Sequence, residues 1–289
     1  MNPNIPKMLR RLTGKKHIVF VDRGNTAIMK AFEIAKKLGK TRALIQDQGG
    51  WLTYKQFALK NDLMPIDLKT DYGILNLRDL FKKADRNSVL IVNSLTGYFA
   101  DQPMKPIEKI CKKRGCLLIN DASGSIGTKF AKYGDMAIGS FRQWKPINLG
   151  KGGFIAINDN LLHFFMTKER VHGVLRFIDR YISKPEVIEE YTFSEKELDA
   201  LENKIENLNK RLKFLVGINQ KIKNDLKNSE ILHKSRYGLN VIVKFKNEDE
   251  KSKIIKYCEE NKYEYTLCPR NIRADIDAVC IEVKRLEEK

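Results

Sequence analysis

Short apolar runs alternate with amphipathic stretches along the first 160 or so residues of the chain. Runs such as "HIVFV", "SVLIVN" and "CLLIND" are separated by helical patterns such as "TAIMKAFEIAKKLG". Uniformly apolar runs between helices are typical of strands that are buried on both faces of a sheet. The pattern therefore predicts an α/β fold in which helices cover a mostly parallel sheet.

A different pattern begins at Ser194. From there to about residue 228, apolar residues recur every three or four positions, which predicts one long amphipathic helix over 194–228. Ser194 followed three residues later by Glu197 is a capping-box signature for the start of this helix. We expect its apolar stripe to be buried against a domain or a partner subunit.

The C-terminal residues alternate on a smaller scale. A strand pattern ("YGLNVIVKF") is followed by a helix pattern ("NEDEKSKIIKYCEENK"), a turn ("CPRN") and a further strand ("AVCIEVK"). The helical periodicity is lost near residues 228 to 235. We therefore expect a large domain of residues 1–230, which includes the long linking helix, and a small C-terminal α/β domain of residues 231–289.

Composition bounds the class of protein. The 289 residues include 54 Lys and Arg against 36 Asp and Glu, a net charge of +18. Because the lysines are spread along the chain without arginine-rich tracts, this charge favours a solvated surface over nucleic-acid binding. No apolar run is long enough to cross a membrane or resembles a signal peptide. The five cysteines and four histidines show no metal-ligand spacing, so we expect a cytoplasmic protein with reduced thiols, no metal and no membrane partner.

Two stretches place phosphate-binding or acidic groups at the ends of predicted elements. In "DRGNTAIMKAF", Gly24, Asn25 and Thr26 stand at the start of a helix, where free N–H groups favour a phosphate, although Asn or Thr there is also an ordinary N-cap. In "CLLINDASGSIG", Asp121 ends an apolar strand. An acid at that end of a parallel strand faces the ligand-binding edge of the sheet, or caps the next turn.

The third stretch is "GDMAIGSFRQWKPINLGKGGFIAI". Ser140 ends a predicted strand, Lys145 follows five residues later, and a glycine cluster leads into the next strand. Pyridoxal 5′-phosphate (PLP) requires a lysine amine, a carboxylate opposite its pyridine nitrogen and donors for its phosphate. Lys145, Asp121, and Ser140 with Gly24 to Thr26 supply that set.

The same stretches resemble the fold-type-I PLP enzymes, and most of all the DegT/DnrJ/EryC1/StrS aminotransferases. The resemblance covers "GNTAIM", "TGYFADQPMKPIEKICKKRG", "NDASGSIG", "GDMAIGSF" with the Ser-x-x-x-x-Lys interval, and "GKGG". It implies that Lys145 is the Schiff-base lysine, Asp121 the partner of the pyridine nitrogen, and Ser140 and Thr26 phosphate ligands. Tyr54 is implied as the aromatic ring that stacks on the cofactor, with Trp51 as the competing candidate.

The resemblance also implies an activity and an assembly. We expect an aminotransferase that uses a small-molecule amino donor and a keto acceptor such as a keto-sugar, since the family's dehydratase branch has a histidine where this chain has Lys145. The family's active site lies at a two-fold interface, so we expect a homodimer. We expect the helical stripe and residues 163–193 to form its interface.

Some departures from the family pattern leave alternatives open. Gly124 stands where the family usually has glutamine, and the chain is short for the family. A PLP enzyme acting on a tRNA-borne aminoacyl group, a carbon–sulfur lyase and a non-catalytic relative therefore remain alternatives. Arg270 and Arg273 are candidates for a carboxylate clamp, although in so basic a chain surface arginines are the simpler interpretation.

Overall fold

The computed structural model describes residues 4–157, 187–189 and 192–287. The strands, in chain order, are β1 (His17–Val21), β2 (Arg42–Gln46), β3 (Met64–Leu68), β4 (Thr70–Asp71), β5 (Ile74–Leu75), β6 (Ser88–Asn93), β7 (Leu95–Thr96), β8 (Ala100–Asp101), β9 (Leu117–Asp121), β10 (Met136–Ser140), β11 (Gly153–Ile157), β12 (Val187–Glu189), β13 (Val241–Lys244), β14 (Tyr265–Cys268) and β15 (Ala278–Ile281).

Eight of these strands form the central sheet, in the order β12-β1-β11-β10-β9-β6-β2-β3. All neighbouring pairs are parallel except those of β11, which runs antiparallel to both β1 and β10. The exception has a simple cause, because a short loop rather than a crossover helix connects β10 to β11 and returns the chain beside itself. The predicted α/β fold with a mostly parallel sheet is confirmed.

Helices cover both faces of the sheet. They are α1 (Asn4–Thr13), α2 (Gly24–Lys37), α3 (Tyr54–Lys60), α4 (Leu77–Lys83), α5 (Met104–Arg114), α6 (Glu195–Glu206), α7 (Leu208–Asp225) and α8 (Glu248–Glu260). Apolar residues of α2 and α3 pack with β1 and β2 in one core, and those of α1, α6 and α7 pack in another. Within the described part of the chain, no helix is both long and apolar enough to cross a membrane.

The stretch expected as one long helix is two helices, α6 and α7, with a break at Asn207. The Asn207 side-chain amide donates to the Asn203 carbonyl oxygen at 2.9 Å, the same acceptor that its backbone N–H uses. Asparagine side chains that bond the local backbone in this way compete with helix propagation. The start of α6 is as expected, because the Ser194 N–H donates to Glu197 Oε2 at 2.9 Å in a capping box.

The apolar stripe of these two helices is buried by the chain itself. Its buried members, which belong to one core together with β1 and β10, are Leu198, Leu201, Ile205, Leu208, Leu212, Leu215 and Ile222. The expectation that the stripe needs a partner surface is therefore wrong. Residues 163–193, the other part of the expected interface, lie mostly outside the described residues.

The C-terminal unit, residues 231–287, contains a three-stranded antiparallel sheet in the order β13-β15-β14, with α8 packed on it. The predicted strand, helix, turn and strand are present, and the structure adds β14 before the turn. The unit packs on the β7–β8 hairpin through Leu232, Ile242 and Cys280, which share a core with Phe99 and Ala100. A domain boundary between residues 230 and 231 stays a prediction.

We expect Gly139→Ala to destabilise the central sheet. Gly139 of β10 pairs with Phe154 of β11, and an added Cβ would lie 2.2 Å from the Phe154 ring. Relieving this overlap in a closed core costs roughly 1–3 kcal/mol. Chemical denaturation measures the free energy of unfolding of the variant against the parent chain.

Gly217→Ala is the matched control for this substitution. Gly217 is exposed on α7 and an added Cβ would meet no atom within 4 Å. The same exchange in an open helix position stabilises by about 0.5–1 kcal/mol. Equal effects of the two substitutions would contradict the packing explanation.

Candidate active site

A cavity of about 360 Å³ lies at the edge of the central sheet where β6, β9 and β10 end. The last residues of these strands, Asn93, Asp121 and Ser140, all line it. The carboxyl ends of parallel strands are where open α/β sheets bind ligands. The C-terminal unit supplies another wall, so the cavity lies between the sheet and that unit.

Lys145 reaches the cavity from the loop between β10 and β11. Its Nζ donates a hydrogen bond to the Tyr98 hydroxyl, and lies 5.6 Å from the ring centre of Trp51. Burial, reinforced by the charges of Arg273 and Arg142 and opposed by that of Asp121, lowers the pKa of the Lys145 amine to about 8. The amine therefore loses its proton near neutral pH more readily than an ordinary lysine amine.

Asp121 is held in one orientation by two donors. Tyr54 donates its hydroxyl hydrogen to Oδ2 at 2.5 Å, and the Ser123 N–H donates to Oδ1 at 3.0 Å. Burial and the neighbouring Asp121 charge raise the pKa of the Tyr54 hydroxyl well above its usual range. Tyr54 thus remains a neutral donor to a carboxylate that is only 5% exposed at the cavity wall.

This position differs from the expectation for Tyr54. The side chain is fully buried beneath the cavity and does not line it, so its ring supports Asp121 instead of facing a ligand. The competing candidate, Trp51, does line the cavity, and its Nε1 donates to Asn25 Oδ1 at 2.8 Å. The family resemblance implied both residues as candidates for the site without showing which one faces it.

Of the four residues expected to bind a phosphate, three line the cavity and one does not. Gly24 and Asn25, at the N-terminus of α2, line the cavity together with Ser140. An added Cβ at Gly24 would lie 2.8 Å from the Ser140 Cβ, so glycine lets the helix start approach the strand end. Thr26 does not line the cavity, because its hydroxyl donates to Asp22 Oδ1 at 2.5 Å.

Arg270 and Arg273 both line the cavity, but they are not equivalent. Arg273 is buried and donates to both carboxylate oxygens of Glu282, at 3.1 Å each. Although burial opposes it, the charges of Arg273 and Lys284 lower the pKa of Glu282 to about 2. Arg273 is therefore already paired, and only Arg270 keeps the exposure that a clamp for a ligand requires.

Several further residues of the cavity wall were missed as site residues from the sequence, among them Tyr98, Trp144 and Lys284. The Lys284 Nζ lies 3.0 Å from Glu282 Oε2 and 5.1 Å from the Tyr98 ring centre. Burial lowers the pKa of its amine to about 8, against the effect of Glu282. Tyr98 belongs to the "TGYFADQPMKPIEKICKKRG" stretch that carries part of the family resemblance, but no spacing rule indicates the direction of its side chain.

Comparisons of the sequence agree with the site. Residues 4–224 match the DegT/DnrJ/EryC1/StrS aminotransferase family, and residues 206–289 match the MJ1341 family C-terminal domain. UDP-4-amino-4,6-dideoxy-N-acetyl-beta-L-altrosamine transaminase of Helicobacter pylori is 24% identical over 173 residues, which are 56% of this chain and 45% of that protein. The chain thus spans less than half the length of this curated relative.

Solved structures with a similar fold align with most of the chain. Subgroup IV aspartate aminotransferase from Thermus thermophilus superposes with a TM-score of 0.74 at 13% identity, covering 99% of this chain and 86% of the other. GDP-4-keto-6-deoxy-D-mannose-3-dehydratase of E. coli, with bound hydrated PLP, gives 0.70 at 14% identity, covering 96% and 86%. At such identities the likeness shows the fold alone, and it confirms the predicted fold-type-I class.

The family match extends over more than half of the chain and includes the strands that carry Asp121 and Ser140 and the loop that carries Lys145. The chain therefore belongs to the DegT/DnrJ/EryC1/StrS aminotransferase family, whose cofactor is pyridoxal 5′-phosphate.

Proposed function

We propose that the chain is a PLP-dependent aminotransferase, which moves an amino group from a small-molecule donor to a keto-sugar or another small keto substrate. The observation that carries this proposal is the convergence of Lys145 and Asp121 on one cavity at the carboxyl edge of the sheet. The family match and the sugar transaminase relative support the activity and the keto-sugar acceptor.

The residues of the cavity fit PLP. Lys145 would hold the cofactor covalently, Asp121 would face its pyridine nitrogen, and Gly24, Asn25 and Ser140 would hold its phosphate at the N-terminus of α2. The close approach of Gly24 to Ser140 makes a cradle that a larger side chain would fill. When bound, PLP supplies an electron sink for the substrate carbon. Trp51 is our candidate for the ring that faces the cofactor.

Lys145 supplies proton transfer in this proposal. A general base works best when its pKa lies near the working pH, and burial brings the Lys145 amine to about 8. Once a donor amine has replaced it on the cofactor, the unprotonated Nζ would be free to accept a proton from the substrate carbon. It would then return that proton to a carbon of the cofactor. Two donors, the Tyr54 hydroxyl and the Ser123 N–H, hold the Asp121 carboxyl group in place, so that it would face the nitrogen opposite it.

We expect Lys145→Ala to abolish the borohydride-reducible covalent link to PLP and to leave the fold intact. The substitution removes the amine but leaves the buried core and the sheet unchanged. Reduction of the protein with PLP, followed by peptide mapping, locates the label. Lys55→Ala is the control, since Lys55 is half exposed and pairs with Asp67 away from the cavity. Label recovered on Lys284 or any other lysine would contradict the assignment.

We expect Asp121→Asn to bind PLP and to lose activity by roughly 100-fold or more, because a neutral amide cannot hold the proton on the pyridine nitrogen. The single-turnover rate with an amino donor measures the loss. Tyr54→Phe keeps the carboxylate and removes one of its two donors, so a smaller loss is expected. An unchanged rate in Asp121→Asn would show that Asp121 serves only to cap its turn.

We also propose a homodimer and a cytoplasmic location. The five cysteines are buried free thiols, which supports a reducing compartment. Among the described residues, eight large apolar side chains are exposed, and four of them, which we call the 51–64 patch, lie close in sequence within or next to α3: Trp51, Leu52, Leu59 and Met64. Since Trp51 also lines the cavity, a second copy seated on this patch would cover the cavity's edge.

For the homodimer, light scattering at micromolar concentration is expected to give twice the chain mass. Leu59→Glu is expected to give a monomer, because it replaces an apolar side chain of the patch that is 62% exposed with a charged one. Phe81→Glu is the control, since Phe81 is exposed on α4, outside the patch. A monomeric parent chain, or a Leu59→Glu dimer, would contradict this interface.

A further inference from the structure

Tyr98 occupies a strained turn at the cavity wall. Gly97 and Tyr98 have φ angles of +51° and +67°, and the Phe99 N–H donates to the Thr96 carbonyl at 2.9 Å across the β7–β8 hairpin. Two consecutive left-handed residues form the hairpin turn that favours Asn-Gly or Gly-Gly sequences. A tyrosine in this conformation costs stability, and such strain concentrates at functional sites.

The C-terminal unit forms backbone hydrogen bonds with this turn. The Tyr98 carbonyl oxygen accepts hydrogen bonds from the N–H groups of Leu239 and Asn240, at 2.7 and 2.8 Å. The side chain is only 5% exposed, and its hydroxyl accepts the hydrogen bond from Lys145. The backbone and the hydroxyl of Tyr98 are therefore both engaged, and the ring has little freedom to move.

The ring of Tyr98 packs against Gly124. An added Cβ at Gly124 would lie 2.7 Å from Tyr98 Cε1 and 2.9 Å from Cδ1. Any side chain at position 124 would displace the ring from its present place. The glycine and the tyrosine thus form a complementary pair.

Charges surround this pair. Burial and the Asp121 charge raise the pKa of the Tyr98 hydroxyl above its usual range, so it stays neutral and can accept from a protonated amine. The guanidinium of Arg273 lies 5.7 Å and the Lys284 amine 5.1 Å from the ring centre. The ionisable groups that face Lys145 are Tyr98, Asp121, Arg142, Arg273, Glu282 and Lys284.

We propose that Tyr98, seated in the space that Gly124 leaves open, is a positioning residue that orients the Lys145 amine in the cavity. The proposal rests on the role of Lys145 as the cofactor lysine. Three independent observations support it. The Lys145 amine donates a hydrogen bond to the Tyr98 hydroxyl, Tyr98 lies in a strained turn, and Gly124 leaves space for its ring. The Tyr98 ring fills the space that Gly124 leaves open, and its hydroxyl accepts a hydrogen bond from Lys145 Nζ.

The test measures the Lys145 pKa in cofactor-free protein, from the pH dependence of trace acetylation by acetic anhydride with peptide mapping. Tyr98→Phe keeps the turn and the ring but removes the acceptor of the Lys145 hydrogen bond. The protonated amine loses a partner, so its pKa is expected to fall by about one pH unit. Lys284, mapped in the same digest, should not change, because it pairs with Glu282 and not with the hydroxyl.

Two further variants separate positioning from a general structural effect. Tyr237→Phe removes another buried tyrosine hydroxyl, away from the cavity lining, and should leave the Lys145 pKa unchanged. Gly124→Ala is expected to shift the Lys145 pKa in the same direction as Tyr98→Phe, because its Cβ displaces the ring. In a Tyr98→Ala background, Gly124→Ala should then have no further effect, since no ring is left to displace.

An unchanged Lys145 pKa in Tyr98→Phe overturns the proposal, and so does an equal shift in Tyr237→Phe. An additive effect of Gly124→Ala in the Tyr98→Ala background overturns the part that concerns Gly124. Because acetylation is measured without PLP, these outcomes are independent of borohydride trapping. Failure of Lys145 to trap the cofactor would instead contradict the proposed function.

Discussion

The Asp121 carboxylate is the one negative charge among the described residues that line the cavity, which seven cations also line: Arg23, Arg142, Lys145, Arg270, Arg273, Lys284 and Arg285. An isolated buried charge is costly unless it is hydrogen-bonded or paired. Tyr54 and Ser123 donate hydrogen bonds to Asp121, and Glu282 forms ion pairs with Arg273 and Lys284. In the described part of the chain no carboxylate pairs directly with Lys145, and burial lowers the pKa of its amine.

The fold was largely predictable, because buried strands and amphipathic helices leave clear periodicities. The same is true of the strand ends that carry Asp121 and Ser140, and of the loop that carries Lys145. These groups come together because parallel strands deliver their last residues to one edge, a rule that needs no knowledge of side-chain direction. The prediction of one long helix was wrong because hydrophobic periodicity is insensitive to a single residue such as Asn207. The side chain of Asn207 competes for a backbone carbonyl and interrupts the helix.

Roles that depend on the direction of a side chain were not predictable. Tyr54 and Trp51 lie three residues apart, and their spacing does not show that one turns down to Asp121 and the other faces the cavity. Tyr98 lies far from both Gly124 and Lys145 in sequence, and only the tertiary structure shows that the glycine makes room for the ring. Likewise, the sequence does not distinguish Arg270 from Arg273, and only the structure shows that Arg273 is paired with Glu282.

The contact between the β7–β8 turn and the C-terminal unit has a mechanical consequence. Besides the two hydrogen bonds to the Tyr98 carbonyl, Gly238 lies so close to this turn that an added Cβ would be 2.4 Å from the Phe99 carbonyl oxygen. The two parts of the chain are thus joined backbone to backbone beside the reactive lysine. Outward movement of the C-terminal unit would therefore have to break these backbone contacts beside Lys145.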